Sequence, residues 1–348
     1  MDKKKLITSL IFIIIVGVII TSLTVSKKSY AVGTTLVDTV KALNKGSSWS
    51  AGASGVYYTN SHEYRYIGAE VNNYVSFNND LYRIIGVFDS NSHGVSGTEM
   101  VKLIRARTLG GASWGAYNTD NSTGTYSGYT NDWTGKSKTS KANLNVLLNE
   151  YFYNKTSTSS TYGDCANWTY FYSINGNGYK TKDCSDIITY GIDSSLRGYI
   201  ENATWYLYGS GSDQSKQNWY LCERGGNSCT TSGPNTGDAS VTSKMGLMYL
   251  SDYLYASGYY SSTNTTTQTG YRYGNKNWLY KGSEWTQTPY ASGADRVWNS
   301  TTYSLAVGGN ANASNGWRPT FYLKSSVYVT GGNGSFDNPY TLGCDNCS

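Results

Sequence analysis

The chain has 348 residues and a formal net charge of +5, with 15% of residues charged and with Tyr (34), Trp (10) and Gly (39) abundant. Residues 1–31 hold five lysines against one aspartate, so about +1 of that charge belongs to the rest, which excludes nucleic acid or an anionic membrane surface as its principal partner. An aromatic content of 15% excludes disorder, and the dominance of Tyr, Thr, Ser, Asn and Gly points to strands and loops.

Met1-Asp2-Lys3-Lys4-Lys5 precedes an uncharged run from Leu6 to Val25, and Ser26-Lys27-Lys28 follows it. A cationic start before such a run is a membrane-targeting element that sends the remainder outward. Ser29-Tyr30-Ala31 offers small residues where a signal peptidase reads, so cleavage after Ala31 is one outcome. The run exceeds the roughly 7–15 residues of a signal core and matches the roughly 20 of a spanning helix, so a retained anchor is the other. The expected location is the cell membrane, single-pass with the C-terminal body outside, or secretion if cut. Membrane contact is expected through residues 1–31 only.

Residues 32–63 read as a transition: Leu36, Val40 and Leu43 suit a short helix, and Gly46-Ser47-Ser48 suits a linker. One extracellular domain is expected over 64–343, with a tail at 344–348. Asn73–Phe77 and Leu81–Phe88 are predicted strands joined at an Asn78-Asn79-Asp80 turn. Glu99–Arg107 is a third strand, closing a meander with one apolar side. Leu144, Leu147, Leu148, Tyr151 and Phe152 repeat at helical spacing after Ser140, an N-cap residue, and a weaker helical pattern covers Asp183–Arg197. Residues 155–182 and 209–241 read as loop insertions. Strand-like runs return at Trp205–Tyr208, Met245–Leu250, Trp278–Tyr280 and Trp317–Leu323. This order predicts one α+β domain of antiparallel strands, one clear amphipathic helix and long loop insertions.

The six cysteines fall into local pairs, Cys165 with Cys184, Cys222 with Cys229 and Cys344 with Cys347. Export makes disulfides the expected state, and local pairing is preferred among the fifteen possible because each pair brackets a short polar segment. Zinc is disfavoured, since His62 and His93 lie far from every cysteine. The spacing of Cys344-Asp345-Asn346-Cys347 matches a thiol redox motif, but it opens no helix and reads as a terminal staple. Asn118–Gly124 reads as an Asx-rich turn rather than a calcium loop, and Gly331–Asp337 as a turn between the last two strands. No cofactor or metal is expected.

Asn72–Phe77 with Tyr82–Phe88, Asn202–Leu207, Gly246–Tyr249, Trp285–Pro289 and Gly316–Leu323 through Asn338-Pro339-Tyr340 together resemble an uncharacterised family of exported bacterial domains, over about residues 64–342. That resemblance implies an external location and no activity. The Trp strand, polar stretch and closing Gly316-Trp317-Arg318 strand are similar to the C-terminal half of C-type-lectin-like domains and formylglycine-generating enzymes. This implies a C-type-lectin-like mixed fold and a structural, loop-holding role for Arg318. The calcium set of sugar-binding lectins is incomplete at Gln287-Thr288-Pro289 and Trp298-Asn299-Ser300. The reactive cysteine pair of the enzymes lies before and within the final strands, whereas Cys344 and Cys347 follow Leu342, so that chemistry is not carried over.

Trp133, Trp278, Trp285, Trp298 and Trp317 lie in or beside Gly- and Asn-rich segments, where flat aromatic faces suit sugar rings or peptide segments. They are the candidate ligand-binding residues. No nucleophile elbow flanks a histidine, and Asp132, Asp252, Glu284 and Asp295 are carboxylates with no sequence signal that pairs them. The expected function is non-catalytic binding of a glycan or protein ligand at the cell envelope. An exported enzyme acting on cell-wall or host polysaccharide is the alternative, and a structural protein for cell–cell contact the second.

Overall fold

The computed structural model describes residues 33–50, 52–115, 117–118, 128–129, 131–135, 141–156, 165–212, 215–226, 229–231, 238–258, 277–293, 295–300 and 305–347. Gly55–Tyr58 (β1), Tyr64–Ile67 (β2), Tyr74–Phe77 (β3), Asp80–Phe88 (β4) and Met100–Arg105 (β5) form an antiparallel first sheet. Asn78 and Asn79 have φ of 57° and 55°, the left-handed pair that a two-residue hairpin turn between twisted strands requires and that Asn tolerates. On one side β4 pairs with β3 along its first half and with β2 near its end, while β5 follows its other side.

The second sheet draws on Gly110–Ala112 (β6), Tyr172–Ile174 (β7), Lys180–Thr181 (β8), Glu284–Pro289 (β9), Arg296–Ser300 (β10), Leu305–Asn310 (β11) and Asn315–Gly316 (β12). Its spatial order is β8-β7-β6-β12-β9-β10-β11. Thr320–Tyr322 (β13) then returns to the first sheet beside β5. The chain thus passes between sheets twice, from β5 to β6 and from β12 to β13, and the passages are bonded to each other. Arg105 N–H donates to Pro319 O at 3.0 Å and Leu109 N–H to Trp317 O at 3.3 Å. Arg318 sits at this joint.

Six short α-helices accompany the sheets among the described residues: Leu36–Lys41 (α1), Ser90–His93 (α2), Asn143–Val146 (α3), Ser185–Thr189 (α4), Lys216–Glu223 (α5) and Leu250–Tyr255 (α6). The fold is α+β. The five apolar residues of the predicted amphipathic helix are all buried. Its backbone is α-helical only through α3, then widens to a π-helix over Leu147–Tyr153. Ala142 stands at its start with no side-chain cap, and Ser140 lies outside the described residues.

Several expectations need correction. The stretch read as a linker belongs to the fold: Asn44 Oδ1 accepts from Tyr58 N–H at 3.0 Å, Lys45 N–H donates to Val56 O, and β1 pairs with β2. Four residues are too few for β1 to show a period in sequence. The third strand of the meander has no solvent side, because every residue of β5 is buried, Lys102 included. Residues 209–241 contain α5, whose Trp219, Cys222 and Glu223 are buried. Met245–Tyr249 and Trp278–Tyr280 are turns and single bridges rather than strands, whereas β9 and β10 are strands that polar composition concealed.

Cys165–Cys184, Cys222–Cys229 and Cys344–Cys347 are disulfides with Cα separations of 6.0, 5.1 and 5.5 Å. Among the described residues no helix is long and apolar enough to cross a membrane, and Leu6–Val25 lies outside them.

Candidate functional site

The tryptophans do not gather on a surface. Trp133, Trp285, Trp298 and Trp317 are each at most 1% exposed. Trp133 packs on Trp114 at 5.0 Å between ring centroids, and Trp298 on Trp219 at 4.9 Å. Trp285 Nε1 donates to Ala112 O at 2.8 Å and Trp298 Nε1 to Ser210 O at 3.0 Å. These rings fill the core beneath the second sheet, so a ligand-stacking role does not fit them. The Gly- and Asn-rich segments around Trp285, Trp298 and Trp317 lie in and beside strands β9, β10 and β12. Trp285→Ala is accordingly expected to cost about 3–5 kcal/mol of stability. Chemical denaturation would read this as a fall in midpoint, and an unchanged midpoint would contradict the core placement.

Arg318 forms a buried two-pronged pair with Glu284, Nε to Oε1 at 2.8 Å and Nη2 to Oε2 at 2.7 Å. Its Nη2 also donates to Leu279 O at 2.7 Å. It therefore fixes the 279–284 turn against the joint between sheets, a geometry in which guanidinium and carboxylate are strongest.

A second ionic group lies wholly inside the protein, beside the first sheet. Asp252 on α6 accepts from Arg65 Nη1 at 2.8 Å and from Lys102 Nζ at 2.6 Å, and its Oδ2 also accepts from Tyr249 N–H. Arg65 Nε donates to Glu63 at 2.8 Å, and Glu63 accepts from Ser92 Oγ. Glu223 accepts from Ser251 and from Thr288 Oγ1 at 2.6 Å. Phe88, Trp205, Tyr249 and Tyr322 present ring faces to Lys102. Burial pushes the Asp252 carboxyl up, but Lys102 and Arg65 outweigh it and hold the group at about 2. Burial brings the Lys102 ammonium down to about 8 against the pull of Asp252. Glu223 is pushed up by burial. None of Glu63, Arg65, Lys102, Glu223 and Asp252 is exposed, and with Arg224 at 3.7 Å from Glu223 the three carboxylates face three cations, a charge-balanced buried group.

The other charged candidates are scattered and do not converge on one site. Buried Asp132 caps the turn at Thr134 and Gly135, and Asp295 lies 3.9 Å from Arg296. Buried His93 shares its ring nitrogens with Phe88 O and Val95 N–H, whereas His62 is exposed. Among the described residues no group of three His, Cys, Asp or Glu is placed to hold a metal ion. The expected Asx turn at Asn118–Gly124 falls almost entirely outside the described residues.

One open cleft, of about 310 Å³, is lined by Asn72, Tyr74, Arg83, Trp278, Lys281 and Phe336, among others. Its floor comes from β3 and β4, and one wall from the turn that Arg318 holds. The rim comes from the loop between the paired strands Tyr328–Gly331 and Thr341–Gly343. Gly334 in that loop has φ of 76°, and a Cβ there would lie 2.7 Å from Asn72 O. Glycine therefore lets the loop lie flat against β3, where Gly334 O accepts from Tyr74 N–H at 2.8 Å. Phe336 is held at the rim, edge-on to Tyr74, with 59% of its surface exposed.

Within the cleft the Arg83 guanidinium is sandwiched between Tyr74 and Trp278, 4.3 and 4.5 Å from the ring centroids. Its N–H groups donate to Asn73 Oδ1 at 2.7 Å, Trp278 O at 3.1 Å and Val71 O at 3.3 Å. Burial lowers its pKa to about 10; Tyr74 opposes this and the charge of Arg318 adds to it. Burial also lowers the Lys281 ammonium, with Arg318 and Arg83 acting in the same direction and Glu284 against them. Of the five expected ligand-binding tryptophans, Trp278 alone reaches this cleft. Sequence reasoning missed Arg83, although the signal was present: it interrupts the alternating row of Leu81, Ile85 and Val87. No family model, no curated protein and no solved structure matches this chain.

Proposed function

We propose that this chain is a non-catalytic binding protein displayed at the cell envelope, and that it takes a glycan in the cleft between Tyr74, Arg83, Trp278 and Phe336. The observation that carries the reading is Phe336, a large aromatic ring held in solvent at the rim of a cleft in which Tyr74 and Trp278 are stacked on Arg83. An exposed flat apolar face next to polar groups suits the C–H face of a sugar ring. The three disulfides support an oxidising destination, and the lysine-flanked apolar run at the N-terminus supports tethering or export. Among the described residues that line the cleft there is one carboxylate, Glu70, on its exposed side, where glycoside hydrolysis uses two. That favours binding over cleavage.

The test is a glycan array probed with the full chain in detergent, beside Phe336→Ala. Saturable binding to a glycan is expected, weakened about threefold to tenfold in the variant at unchanged melting temperature. Absence of binding to every glycan by folded protein would remove the glycan reading and leave a protein partner or a structural role.

A further inference from the structure

We infer that the saccharide this cleft takes carries a carboxylate, which pairs with Arg83 and Lys281 while its ring lies against Phe336. The inference rests on the glycan reading above and narrows it to acidic sugars.

Among the described residues five cationic residues are buried, Arg65, Arg83, Lys102, Arg105 and Arg318, and the side chain of a sixth, Arg224, is 7% exposed and lies 3.7 Å from Glu223. Arg65 has Glu63 and Asp252, Lys102 has Asp252, Arg105 has Asp80 and Arg318 has Glu284, each within 2.8 Å. Arg83, 4% exposed, has no carboxylate partner among the described residues; its partners are a side-chain amide and two backbone carbonyls. A buried cation without a counter-charge is costly, and two stacked rings offset part of that cost. Unlike the other four, this one lines a cleft.

Geometry and charge then select the anion. A guanidinium has five N–H donors, and Arg83 uses one on each nitrogen. One N–H remains on each terminal nitrogen, the pair that a carboxylate spans with two parallel hydrogen bonds. Lys281 brings a second cation to the same cleft, and the acid among the lining residues, Glu70, is exposed. Charge alone would accept inorganic phosphate. The exposed Phe336 ring and the side chain of Asn72 add an apolar face and an amide, which a carboxylated sugar uses and a bare anion does not.

The experiment titrates the full chain with galacturonate, glucuronate and sialylated oligosaccharides, each paired with its own methyl ester, which removes the charge and keeps the ring. At least one acid should bind about tenfold to a hundredfold more tightly than its ester. Added salt should weaken the acid and leave the ester unaffected. Lys281→Gln should weaken the acid selectively, and Phe336→Ala should weaken acid and ester alike. Equal affinity for acid and ester would overturn the inference while leaving the glycan reading intact. Acid binding indifferent to both variants would place the anion elsewhere and overturn it as well. Failure of every acidic sugar, whether neutral glycans or an acidic peptide bind instead, would do the same.

Discussion

Asp252→Asn is expected to lower stability by about 3–5 kcal/mol, because it leaves Lys102 and one side of Arg65 facing a neutral amide inside the protein. For a domain of this size that corresponds to a fall in melting temperature on the order of 10 °C. The cost comes from stranded charge rather than lost volume, since asparagine is isosteric with aspartate. Lys102→Met combined with Asp252→Asn should therefore be less damaging than Asp252→Asn alone, Arg65 keeping Glu63. If the double variant proves the weaker of the two, the charge account fails. Acid should reveal the same pair in the natural protein. The Asp252 carboxyl, ordinarily near 3.8, is held at about 2 in the folded state. Its contribution is fully present above 3.8 and is lost as pH falls toward 2. Melting temperature plotted against pH should drop across that window, and by less in Asp252→Asn.

Arg318→Ala should be comparably severe. Glu284 would keep a buried carboxylate with no partner cation, and Leu279 O would lose its donor, a loss of about 3–5 kcal/mol. Arg318→Lys should recover part of it, because an ammonium cannot reproduce both prongs. The turn that Arg318 holds is also the wall of the cleft, so Arg318→Lys should weaken glycan binding even under conditions where it stays folded. Urea unfolding with binding measured in parallel would decide this. A Lys variant that matches the natural protein in both readouts would show that the fork geometry is dispensable.

What could be read in sequence was local. Asn78-Asn79 announced its turn because the turn chemistry is contained in two residues. The helical row from Leu144 to Phe152 announced a buried face, and the short spacing of each cysteine pair anticipated its bridge. Pairings made at long range could not be read in this way. Nothing near Asp252 says that Lys102 will reach it, and nothing near Glu284 says that Arg318 will. The tryptophans misled because strands β9 and β10 are written in Thr, Gln, Asn and Ser, residues that elsewhere mark loops. Arg83 and Lys102 each break an apolar alternation, and such breaks were the one trace that the buried charges left in the sequence.

The two bonded passages between sheets have a consequence for how this chain is made. β5 pairs with β13, and Thr35 bridges to Tyr328, so residues from the two ends of the domain complete each other. A polypeptide delivered from its N-terminus must hold the flank of β5 unmatched until Thr320–Tyr322 emerges. During that interval the strand is an open template for association with other chains. Folding therefore waits on Thr320–Tyr322, and chains truncated before them should yield aggregated protein rather than smaller working fragments.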